Sequence, residues 1–365
     1  MGVKNFMEMP QTRISWKTAL FPLIGIAAFF LYIYLFKVDI AGIFNTLKTI
    51  DPLPYSIAAV LSFVEVFFFS VSWRVLLNFL SIKISVLRAC LFVWYGIFVD
   101  TLVPAESVSG ELLRVYLITK EQGNEKCGPT MASLVAHRLL GMSMNVAILI
   151  LGIVLLVNGK EIPLNSLVFN SILLVTIAIA ATLLALITLS FKEKWTLKLI
   201  DWAVNVTKFV SRGKWQLHNI KENAVSISKS FHDSMKEFKN KPKALVISLF
   251  YLTVTWGFSL ATQYLVFVSL GVPVSWSMIT ITAAIVLAVK SIPVGIPFEV
   301  GIPEAAMTTL YVAFNIPAEI AATATILSRL LTLWLRFLTG FIAQQWLTFK
   351  PMLNPAAQPV LSEKT

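Results

Sequence analysis

Six ionisable residues carry most of the chemistry available to this sequence: Glu111, Arg114 and Arg138 in its first half, Glu304, Arg329 and Arg336 in its second. A guanidinium binds phosphate oxygens in a planar, two-pronged geometry and never loses its charge. A carboxylate beside it can hold that guanidinium until an anion competes. The two sets recur in one order. Pro104 precedes Glu111 by seven residues, with Gly110 just before the acid and Tyr116 after it. Pro297 precedes Glu304 by seven, with Gly301 and Pro303 before and Tyr311 after. Each set leads to an Arg-Leu-Leu triplet, at Arg138 and at Arg329, 27 and 25 residues beyond its glutamate. Chance likeness of two short patterns is one explanation. The order Pro, Gly, Glu, Tyr, Arg-Leu-Leu, met twice, favours a duplication.

These charges are set in oil. The 365 residues are 57% hydrophobic and 13% charged, with a mean hydropathy of +0.78; soluble domains carry roughly twice that charge. Apolar runs at 18–36, 54–79, 84–103, 129–157, 163–191, 244–270, 276–293 and 317–348 approach or exceed the roughly 20 residues a spanning helix needs. Shorter helices are expected near 107–119 and 302–315, after the Pro/Gly breaks. The fold class is therefore all-α: a polytopic membrane protein of about eight transmembrane helices plus two re-entrant or broken helices, in two repeated halves. The alternating ten-residue segments of a barrel are absent. Lys17 precedes a first run too long for a signal peptide and without its cleavage pattern, so that run is expected to remain as a span. Residues 1–350 read as one domain, and the polar tail 351–365 as disordered.

Residues 192–243 hold twelve Lys/Arg against five Asp/Glu. Such a loop should be cytoplasmic, and the net charge of +11 then reports orientation and anionic lipid rather than nucleic acid. Trp195, Leu199, Trp202, Val206 and Phe209 recur at helical steps, as do Ile220, Ala224, Ile227, Phe231, Met235 and Phe238. Two amphipathic helices lying on the membrane face follow. Five full crossings would separate this loop from basic residues Lys4, Arg13 and Lys17. Either the N-terminus lies outside, or 104–128 crosses as well.

Breaking a helix inside hydrocarbon exposes backbone polar groups, so a break survives only within protein or beside a watery cavity. Duplicated halves with broken helices point to a transport site at mid-membrane. The helix that restarts after each break aims free N–H groups and partial positive charge into that cavity, which suits a phosphate. Bland alternatives stand beside this. Glu111 and Arg114, three apart on one helical face, could pair internally. Arg329 and Arg336 share a face at seven residues and could snorkel to an interface. Lys290 could do the same. Glu65 is an isolated acid that one of these cations could neutralise, and His137 reads as a packing residue rather than a proton carrier. Replacing Glu304 by Gln is expected to impair transport while sparing stability. Cys90, Cys127 and the histidines at 137, 218 and 232 show no metal-ligand spacing, and no cofactor is called for.

The same stretches resemble the flippase-like membrane family related to the transmembrane, lipid-flipping half of bacterial lysylphosphatidylglycerol synthases, with its many archaeal members. Gly110, Glu111, Arg114, Tyr116 and Leu117 meet its Gly-Glu-x-x-Arg-x-Tyr-Leu segment, and Arg138 its first Arg-Leu-Leu helix. Pro297, Gly301, Glu304 and Ala305 partly meet its late Pro-Gly-Gly-x-Gly-x-x-Glu-Ala segment, and Arg329 the second Arg-Leu-Leu. His137 and Gly141 stand where many relatives have acids, and Phe298-Glu299 replaces the Gly-Gly. The resemblance covers roughly 15–348 and leaves no soluble aminoacyltransferase half. It implies a non-enzymatic translocator of phospholipid or polyprenyl-phosphate-linked headgroups in the cell membrane, with anionic or phosphate-bearing lipids as partners and homo-oligomerisation compatible. A membrane enzyme acting on a lipid phosphate, where a glutamate base is conceivable, and a scaffold for cell-envelope synthesis are the alternatives.

Overall fold

A computed structural model describes residues 50–103, 108–158, 166–210, 218–290 and 301–353. Every regular element among them is helical: α1 (Pro52–Phe79), α2 (Val86–Leu102), α3 (Val108–Gln122), α4 (Cys127–Asn158), α5 (Ser166–Phe191), α6 (Glu193–Val210), α7 (His218–Asn240), α8 (Lys243–Ser269), α9 (Trp276–Lys290), α10 (Ile302–Ala313), α11 (Ala318–Arg329) and α12 (Leu335–Leu353). A 3-10 turn (Asn124–Lys126) leads into α4, and a π turn (Leu330–Trp334) joins α11 to α12. The expected span 18–36, the prolines at 104 and 297 and most of the tail lie outside the described residues.

Among the described residues five helices are long and apolar enough to cross a membrane: Pro52–Phe79, Asn124–Asn158, Val168–Phe191, Lys243–Ser269 and Ala318–Thr348. Their outward faces carry exposed Leu, Ile, Val and Phe, as at Leu174, Phe250 and Ile342. In water such surface would mark an interaction site; against lipid it costs nothing. Local sequence sets the helix starts. Asp51 accepts the Leu53 N–H at 3.0 Å ahead of Pro52, and proline in a first turn sacrifices no hydrogen bond.

Two expected spans come out differently. At 17 residues α2 stands at the lower limit of a crossing, and α9 is described over 15. Each instead returns toward its own starting end with the next helix. Arg88 at the start of α2 pairs with Glu121 near the end of α3, and Gln122 donates to the Lys83 carbonyl at 3.1 Å. Near the end of α10, Tyr311 packs edge-on against Phe267, at the end of α8 and close to where α9 begins. Helices α1 and α8 run antiparallel down the centre: the Asp51 N–H bonds the Ser269 carbonyl at 2.9 Å, and Ser72 bonds Ser248. The α2/α3 hairpin therefore opens at the Phe79 end and the α9/α10 hairpin at the Ser269 end.

The turns that launch these hairpins match in detail. Ser81 and Gly271 both take positive φ, 59° and 68°. The Ile82 N–H bonds the Leu77 carbonyl, as the Val272 N–H bonds that of Phe267. Ser85 and Ser275 then each accept the N–H three residues on, both at 3.2 Å. Packing matches too, since α2 lies against α12 while α9 lies against α4. Phe98 meets Phe337 and Phe341 with ring centres 5.1 and 5.7 Å apart.

Both crossings run over a glycine. A Cβ on Gly340 would lie 2.5 Å from the Trp94 carbonyl oxygen, and one on Gly152 would lie 2.7 Å from side-chain atoms of Thr280 and Ile281. A backbone atom cannot yield as a side chain can. Gly340→Ala should therefore cost about 1–3 kcal/mol, the usual penalty of overpacking, and Gly152→Ala less. Melting of the two purified variants in one detergent checks the order. A Gly340→Ala protein as stable as wild type would show that α2 and α12 are not in close contact.

The basic segment also departs from expectation. Helix α7 is docked on protein rather than laid on the bilayer: Met235 and Phe238 are buried, Phe238 stacks on Phe79 at 5.2 Å, and Gly128 of α4 closes on Ser230. An amphipathic pattern gives the width of an apolar stripe, and the ends of α1 and α4 cover this one. Helix α6 keeps Trp195 and Trp202 exposed, with Lys192 4.7 Å over the Trp195 ring.

Candidate functional site

The first-half site forms where α3 restarts. Glu111 stands in the first turn of α3, and its carboxylate takes the Arg138 guanidinium of α4 at 3.4 Å. This pair is open, with side chains 34% (Arg138) and 22% (Glu111) exposed. The internal Glu111–Arg114 pair is not the ion pair formed. Arg114 points instead toward the joint of α1, α2 and α3, where its Nε donates to the Gly110 carbonyl at 3.3 Å and its guanidinium lies 5.3 Å from the centre of the Trp73 ring. Arg114 is 7% exposed, and its Nη1 is buried without an acceptor among the described residues.

Sequence reasoning missed Asp100. Its Oδ1 accepts the Gly110 N–H at 2.6 Å and the Ser109 hydroxyl at 2.7 Å, fastening the end of α2 to the start of α3. The signal was a lone acid inside the apolar run Ile97-Phe98-Val99-Asp100; charge at that depth needs a reason. Gly110 fits because a Cβ would fall 2.4 Å from the Gly96 carbonyl oxygen.

The second-half site is closed. Gly301 caps α10 at φ 102°, a conformation suited to glycine, and its N–H donates to the Glu304 carboxylate at 2.7 Å. Pro303 occupies the first turn. The other Glu304 oxygen accepts from Arg329 Nε at 2.6 Å, with side chains 4% and 6% exposed. Arg138 and Arg329 each stand eleven residues past the first residue of their helix, Cys127 and Ala318.

Arg336 belongs elsewhere. The π turn directly after Arg329 adds a residue to the helical circuit, so a seven-residue spacing no longer returns to one face. Arg336 turns to α1, pairing with Glu65 and donating to Ser62 at 3.3 Å. Neither Arg329 nor Arg336 snorkels. His137 is buried, 3.2 Å from the Ser72 hydroxyl and edge-on to Phe69, which is a packing role. No group of three or more His, Cys, Asp or Glu among the described residues could hold a metal.

Apolar spanning helices, interrupted hairpins and carboxylate–guanidinium pairs at the restarts define an integral, multi-pass helical membrane protein. The chain belongs to the family described as the lysylphosphatidylglycerol synthase TM region, which matches residues 22–340. Among curated proteins it is similar to a UPF0104 membrane protein of Pyrococcus horikoshii, 25% identical over 312 residues, covering 83% of this chain and 90% of that one. A UPF0104 membrane protein of Methanocaldococcus jannaschii is 26% identical over 326 residues, covering 88% and 93%. No solved structure matches the chain.

Proposed function

We propose that this protein moves a phosphate-bearing lipid headgroup across the cell membrane, as a carrier built from two repeated halves of opposite orientation. One observation carries the reading: two hairpins that open at opposite ends each begin their second helix with a glutamate held by an arginine from the following helix. Matching launch turns and matching helix contacts support the duplication. A phosphate approaching the first restart would meet the Arg138 guanidinium, which can exchange its carboxylate for phosphate oxygens. The lipid tails would stay outside against the apolar faces. The family's name supports a lipid-related role, and the substrate headgroup and the membrane are part of this proposal.

The test is reconstitution. Vesicles containing the protein and a fluorescent anionic phospholipid are treated with an impermeant quencher, and the protected fraction reports translocation. The double variant Glu111→Gln/Arg138→Gln should slow translocation by about tenfold or more, since a charge-assisted contact is worth at least one decade. Its melting should change little, because a partly exposed pair at 3.4 Å contributes about 1 kcal/mol or less. Wild-type translocation by this variant would remove the site from the mechanism. Turnover of the headgroup without translocation would favour an enzyme instead.

A further inference from the structure

We infer that the two halves do unequal work, and that the anionic headgroup loads only at the first half, between Arg114 and Arg138, while the second half is a closed lock. The inference rests on the carrier reading above and assigns roles within it. Its first ground is the contrast between equivalent pairs. Arg329–Glu304 is short and sealed, at 2.6 Å with 6% and 4% exposure, whereas Arg138–Glu111 is long and open, at 3.4 Å with 34% and 22%. An anion can displace Glu111 from Arg138 without first opening the protein. Displacing Glu304 would also require breaking its hold on the Gly301 N–H.

The second ground is Arg114. Three residues past Glu111 stands this buried arginine, but three residues past Glu304 stands Met307. The extra cation has electrostatic neighbours in Glu111, Asp100 and Arg138. Yet Glu111 is engaged by Arg138, and Asp100 Oδ1 by two donors of the α3 restart. Arg114 Nη1 has no acceptor among the described residues. A buried donor left unmade costs stability, so an oxygen acceptor placed at Arg114 Nη1 would be favoured. A phosphate monoester or diester held by Arg138 would supply it, and two guanidinium groups would then share one anion. Trp73 backs the Arg114 plane and keeps that guanidinium oriented whether or not the anion is present.

The experiment uses the full chain in mild detergent, with dihexanoyl phosphatidic acid as probe and inorganic phosphate as the lipid-free arm. Arg114→Met and Arg138→Gln should each weaken binding of the probe by about tenfold or more. Arg88→Gln removes an exposed charge from the hairpin's far end and should leave binding unchanged. Arg114→Met should also melt no lower than wild type, because it removes an unmade donor; a residue kept for packing alone would melt lower and bind normally, which overturns the proposal. The double variant Glu304→Gln/Arg329→Met should stop translocation yet hold the probe within about threefold of wild type. If it loses the probe as fully as the first-half variants, both halves bind together and one-sided loading falls, while the carrier reading stands. Binding of inorganic phosphate as tight as that of the probe would mark a free-anion site and overturn the lipid assignment. A wild-type protein that binds neither probe overturns this inference and the carrier reading together.

Discussion

Glu304→Gln should destabilise the protein by about 3 kcal/mol or more, whereas Glu111→Gln should cost about 1 kcal/mol or less. Both changes remove a carboxylate from an equivalent ion pair, and burial decides between them. Arg329 is 5% exposed, so without the Glu304 carboxylate its charge stays in a low-dielectric interior with less to balance it. Arg138 is not enclosed in this way, with about a third of its side chain exposed. Glutamine at 304 also offers one acceptor where two were in use, for Arg329 Nε and the Gly301 N–H. The start of α10 would loosen with the pair. This reverses the simpler expectation that Glu304→Gln would spare stability, and it makes that variant a poor probe of transport by itself. Unfolding of the two single variants by increasing denaturing detergent gives the comparison. Equal losses would mean that the two pairs do not differ in burial.

The order of the repeats was legible because its punctuation is chemical. Proline and glycine mark where a helix must stop, and a glutamate in a first turn with an arginine on the next helix announces a pair. The restarts at α3 and α10 could thus be anticipated from spacing, although the internal partner offered for Glu111 was Arg114 and the one it takes is Arg138. Three things could not. Hydropathy reads 84–103 and 276–293 as continuous oil and does not say that a helix folds back, so α2 and α9 looked like crossings. The π turn after Arg329 depends on packing against α1, and it sends Arg336 to Glu65 rather than to a shared face with Arg329. The stripe on α7 specifies an apolar partner without specifying whether that partner is lipid or protein.

Asp100 shows the same limit from another side. Its worth lies in the Gly110 N–H and the Ser109 hydroxyl, contacts between the end of one half-helix and the start of the next. A single acid in an apolar run signals that some partner exists, and the partner's identity is tertiary information.

Cysteine labelling should show that the end carrying the peripheral basic charge of the described residues faces the cytoplasm, together with the N-terminus. Among the described residues Arg74, Lys83, Arg88, Lys120, Lys126 and the basic α6–α7 segment all lie toward the Phe79 end of α1, while the Ser269 end carries Asp51 and Glu319 but no Lys or Arg. Positive charge is retained on the cytoplasmic side, so that end is expected inside. The earlier conflict of parity then disappears. If α2 folds back with α3, the crossings between the N-terminus and the basic segment are the expected span 18–36 together with α1, α4 and α5. Four crossings return the chain to the side it left, which puts Lys4, Arg13 and Lys17 with the basic segment. In a background with Cys90 and Cys127 replaced by Ala, Glu319→Cys should react with an impermeant maleimide on intact cells. Glu125→Cys and Asn5→Cys should react only after permeabilisation, and the difference should be nearly all-or-none. Labelling of Glu125→Cys from outside would invert the orientation. Labelling of Asn5→Cys alone from outside would restore an odd number of crossings and with it a full crossing by α2 or by the chain that follows it.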